Sequence, residues 1–85
     1  MKGVAVHQME AMADATLSLS KGVHKTIINR SREVAKVADE LYEFSDIDDI
    51  FKSVANHSEK GMSDNNLSDL ANSDKQKFRN ILVFY

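Results

Sequence analysis

The sequence predicts an all-α protein, a small bundle of three to four helices around a long central amphipathic helix at about 21–44. Three observations predict it. Proline is absent from the 85 residues and glycine occurs only at Gly3, Gly22 and Gly61, so the strongest interrupters of a helix are nearly missing. Apolar residues recur in steps of three and four along most of the chain, the spacing of one helix face. Cysteine is absent too, which removes the disulfide framework and the thiolate metal site on which small loop-rich folds depend. At this length one helical domain over 1–85 is expected, with 1–8 as a flexible lead. A single core of this size is marginal, and a homo-oligomer is the expected remedy.

In the first half, Met9, Met12, Thr16, Leu19 and Val23 continue into Ile27, Val34, Val37, Ala38, Leu41 and Phe44. The alternation slips once beside Gly22. Either one helix runs through 9–44, on the order of 50 Å long with a stutter, or the chain breaks there with Ser18 or Ser20 capping a new helix. The break is preferred, because glycine costs about 1 kcal/mol in a helix interior. Tyr42 and Phe44 flank the apolar face of the 21–44 helix and widen it enough to meet more than one neighbour.

At Ser45 the pattern resets. Ser45 is placed as an N-cap, and Asp46, Asp48 and Asp49 fall in the following turn, where the helix dipole favours negative charge. Ile47, Ile50, Phe51 and Val54 share one face and Gly61 suits a C-cap, which predicts a helix over 46–59. Residues 62–66 read as a polar connection, and Leu67, Leu70 and Ala71 as a short helical turn. Ser73 with Gln76 then resembles a capping box opening a last helix that carries Phe78, Ile81, Leu82 and Tyr85. The apolar run 81–85 fits a helix end or a strand equally well.

Charge is balanced in total, at −2, yet segregated along the chain. Lys21, Lys25, Arg30, Arg32 and Lys36 stand against Glu33 alone; Asp39, Glu40, Glu43, Asp46, Asp48 and Asp49 then follow without a base among them. At about 100° per residue, Lys21, Lys25, Arg32 and Lys36 fall within about 60° of one another, opposite Ile27, Val34, Ala38 and Leu41. This order opposes the helix dipole, so helix stability does not explain it. It is read as a solvated face offset by pairs such as Lys36 with Glu40, as a surface for an antiparallel copy, or as a surface for an acidic protein or phosphates.

Other chemistry finds little foothold. For nucleic acid, the net charge is negative, tryptophan is absent and no aromatic residue interleaves the bases. A helix-turn-helix over 50–70 would present acidic Asp64 and Asp69 to phosphates. His7, His24 and His57 lack ligand spacing, and the Asp46 to Asp49 cluster has His57 where a calcium loop needs glutamate. No serine sits in a nucleophile elbow and no glycine-rich phosphate loop exists. No enzyme activity, metal or cofactor is therefore expected. No apolar run approaches the roughly 20 residues of a membrane span or forms the h-region of a signal peptide, and a cytoplasmic location is expected. The expected function is a non-catalytic interaction or regulatory protein that binds another protein through Lys21, Lys25, Arg32, Lys36 and the terminal Phe84 and Tyr85. The alternative is a nucleic-acid-associated regulator using the basic stripe of an oligomer.

Overall fold

A computed structural model describes residues 3–18, 24–41 and 44–83. Among them the secondary structure is helical throughout: α1 (Val4–Leu17), α2 (His24–Glu40), α3 (Ser45–Glu59) and α4 (Asp64–Leu82). The small all-α bundle expected from the sequence is what the chain forms.

α1 and α2 are separate helices packed against each other, Gln8 beside Val37 and Glu40, and Ala15 beside Arg30. One unbroken rod could not bring those residues together. The break therefore holds, with 19–23 outside the described residues. α1 starts at Val4, before the expected Met9, and closes on Ser18, whose backbone N–H donates to the Asp14 carbonyl at 2.9 Å. Its buried Thr16 satisfies its hydroxyl locally, donating to the Met12 carbonyl at 2.8 Å.

α2 buries Ile27, Ser31, Val34, Ala35 and Ala38, the apolar stripe read from its spacing with Ser31 in its midst. It stops at Glu40, short of the expected Phe44. Phe44 is fully buried in the connection to α3, so it does not widen a face of α2; Tyr42 lies outside the described residues. The N-cap position of α3 is Phe44, whose carbonyl accepts from the N–H groups of Ile47 and Asp48 at 3.0 Å, and Ser45 is the first helical residue. The expected Ser45 side-chain cap is therefore replaced by burial of an aromatic anchor. Of the three acidic residues expected in the first turn, Asp46 and Asp48 occupy it and Asp49 does not, and Asp48 accepts from Lys52 Nζ at 2.8 Å.

α3 runs back along α2, with Ser58 Oγ donating to the His24 carbonyl at 3.2 Å, and its end is a full Schellman turn. The Met62 N–H reaches the His57 carbonyl and the Gly61 N–H the Ser58 carbonyl, both at 3.1 Å, with Gly61 at φ +77°. No atom lies within 4 Å of where a Cβ on Gly61 would stand, so substitution there meets backbone strain alone. Gly61→Ala is expected to lower stability by about 1 kcal/mol, and the melting temperature by roughly 4–8 °C. Thermal circular dichroism checks it, and an unchanged melting temperature would show that the turn relaxes out of the left-handed region.

α4 corrects the sequence reading most. Residues 64–82 form one helix capped by Ser63, whose Oγ accepts from the Asn66 N–H at 3.4 Å. Ser73 is an exposed mid-helix residue, so the short turn at 67–71 and the helix expected after Ser73 are parts of one element. Ile81 and Leu82 complete that helix. α4 packs on α3 through Phe51 and Phe78, whose rings meet edge to face at 6.1 Å, and on α1 through Arg79 and Asp14. The centre of the bundle holds Met9, Val34, Phe44, Ile47, Phe51, Val54, Leu67 and Phe78. No described helix is long and apolar enough to cross a membrane.

Candidate functional site

Three of the residues singled out from the sequence are described, and all three are exposed on α2: Lys25, Arg32 and Lys36. Lys21, Phe84 and Tyr85 lie outside the described residues. The helical rotation that buries Ile27, Val34 and Ala38 turns the three cations outward, as the spacing required. Their circumstances then differ. Arg32 Nη2 donates to Glu59 Oε2 on α3 at 3.1 Å; both side chains are more than half exposed, so the pair contributes at most about 1 kcal/mol and leaves the guanidinium available to a stronger acceptor. Lys25 and Lys36 make no ion pair among the described residues, and the expected Lys36 to Glu40 pair is not formed.

α2 begins with His24 and Lys25 in its first turn and ends on Asp39 and Glu40, with no acidic residue at its start and no basic residue at its end. Both ends oppose the helix dipole, each by roughly 0.3–1 kcal/mol. His24 Nε2 lies 3.3 Å from Asp64 Oδ1 at the start of α4, and Asp39 is close enough to Lys52 on α3 for its charge to favour the ammonium.

Two further surfaces appear only in three dimensions. Along the seam between α1 and α2, two neighbouring hollows of about 340 and 270 Å³ share Met12 and Glu33 and carry Arg30 at one end and Glu40 at the other. At the α1–α4 junction a cleft of about 290 Å³ lies between Glu10, Asp14, Phe78, Arg79, Leu82 and Val83. Val4 and Val83 are the exposed large hydrophobic residues among those described, at 84% and 75% accessibility. Because α1 and α4 run antiparallel, with Asp14 near Arg79 and Ser18 near Lys75, both valines fall toward the same end of the bundle.

The remaining described ionisable groups differ in their surroundings. His7 is exposed, and His57 donates through Nδ1 to the carbonyl of Ser53 at 2.8 Å, the bond of a ring fixed to its own helix. Among the described residues no three His, Asp or Glu side chains gather at metal-ligating positions. Lys52 is pushed further above its usual range by its hydrogen bond to Asp48, which keeps it a cation. Asp74, by contrast, is buried in α4 and burial raises its pKa. Sequence reasoning missed Asp74, the Arg32 to Glu59 pair and the seam. The seam left a trace in the weak contrast between the faces of α1, and Asp74 in the interruption of the apolar series between Ala71 and Phe78. Comparison of the chain with family models, with curated proteins and with solved structures gives no match.

Proposed function

We propose that the protein is a non-catalytic, cytoplasmic interaction module that binds an acidic surface of another protein through the outer face of α2. The observation that carries this reading is the charge order of α2. Lys25 at its start and Asp39 and Glu40 at its end both oppose the dipole, while Lys25 and Lys36 have no ion-pair partner among the described residues. An arrangement unfavourable to the free helix and exposed on one face suits a surface completed by something outside the chain. Lys25, Arg32 and Lys36 steer and orient an acidic partner, and the turned-away apolar stripe keeps their spacing rigid.

The test is charge reversal. Lys25→Glu with Lys36→Glu is expected to leave the helical circular dichroism unchanged and to reduce capture of an acidic partner at least tenfold, an effect that shrinks as salt rises. Capture equal to that of the native chain would move the interaction off α2. Titration with generic duplex DNA at about 50 mM salt separates the nucleic-acid reading, which requires tight binding that weakens steeply with added salt.

A further inference from the structure

The seam between α1 and α2 points to a different partner. α1 carries apolar residues on two opposite sides: Met9, Ala13 and Leu17 face the core, while Val4, Ala11 and Ala15 face away from it. Among the described elements it packs on α2 and α4, which leaves Val4, Ala11 and Ala15 exposed. Beside this face the hollows of about 340 and 270 Å³ expose half-buried Met12 and Val37. On the α2 side the seam is edged by Arg30, Glu33, Lys36 and Glu40, four charges of alternating sign with no ion pair among the described residues.

That order is its own complement when reversed. About a two-fold axis crossing α2 near position 35, Arg30 faces Glu40 of the second copy and Glu33 faces its Lys36, and symmetry repeats both pairs. A run of one sign would repel its copy, and an alternating run read in the parallel direction would set like charges together. The geometry points to a two-fold dimer in which α2 and its copy run antiparallel and the exposed apolar residues of the α1 helices are covered over the same seam. This surface is separate from the one proposed for an acidic partner, with Lys36 at the edge of both and Lys25 belonging to the latter alone.

Sedimentation equilibrium on the purified chain tests it without any other protein. The native chain is expected to dimerise with an affinity that weakens as salt rises. Glu33→Lys or Lys36→Glu, each placing two like-charge contacts at the interface, should weaken self-association about tenfold or more while the helical content stays constant. An equimolar mixture of those two variants restores opposite charges at every contact and should regain the native affinity. A native chain that remains monomeric at about 100 µM, single variants that associate as tightly as the native chain, or a mixture no tighter than its components would each overturn the proposal.

Discussion

Replacing Phe51 by alanine is expected to remove about 3–5 kcal/mol, much of the total stability of a domain this small. Phe51 and Phe78 are both fully buried, one on α3 and one on α4, and the rings meet at 88° with centroids 6.1 Å apart. The pair joins the two helices within the buried cluster that also holds Ile47 and Val54, so truncating either ring leaves a void in a close-packed core. Urea denaturation followed by circular dichroism should show Phe51→Ala and Phe78→Ala close to the unfolding threshold at room temperature. The gentler changes Phe51→Leu and Phe78→Leu keep both variants folded and permit a double-mutant cycle. An edge-to-face contact should give a coupling of about 0.5–1.5 kcal/mol. Additive losses would mean that each ring contributes by volume alone and that the α3–α4 contact has no geometric preference.

How far the fold was legible depended on contrast between faces. α2 and α3 are amphipathic, so the spacing of Ile27, Val34 and Ala38, and of Ile47, Phe51 and Val54, located both helices and their buried sides, although α2 ends at Glu40 and not at the expected Phe44. α1 has little contrast: Val4, Ala5 and Val6 precede Met9 without periodicity, and a start at Met9 was the natural reading although the helix begins at Val4. Phe44 continued the apolar series of α2 in register, and only the tertiary fold shows that it belongs to the turn. Legibility of the surfaces followed the same rule. A helical stripe such as Lys25, Arg32 and Lys36 is visible from one segment, whereas the α1–α2 seam and the Arg32 to Glu59 contact join segments distant in sequence.

The division of α4 into two pieces rests on Ser73 with Gln76, the pattern of a capping box, and Asp74 between them yields the second large prediction. Leu67, Leu70, Ala71, Phe78 and Ile81 continue one helical series, but the inward position between Ala71 and Phe78 is Asp74. Its side chain is about 5% exposed; Oδ1 stands 3.9 Å from Lys77 Nζ and Oδ2 has no hydrogen-bond partner. Burial holds its carboxyl above the usual carboxylate range, against the opposing pull of Lys77 on α4 and His57 on α3. Because the folded value exceeds the unfolded one, the native state retains a proton that the unfolded chain releases. The stability linked to Asp74 is therefore present below the ordinary carboxylate range and is lost as pH rises through the raised value.

Asp74→Ala should accordingly stabilise the protein by about 1–2 kcal/mol at neutral pH. It removes an unsatisfied buried acceptor and adds the best helix former, at the cost of one weak pair with Lys77 and a small void. The advantage should be least in acid, grow as pH rises through the carboxylate range, and level off once Asp74 in the native chain is ionised. Urea unfolding of both proteins across that range measures it. A loss of stability at neutral pH would show that the carboxylate is held by a favourable contact within the fold. A gain with this pH profile would identify Asp74 as a charge the core tolerates at a cost. The apolar pattern of α4 breaks in sequence at the residue where the folded helix is least well satisfied.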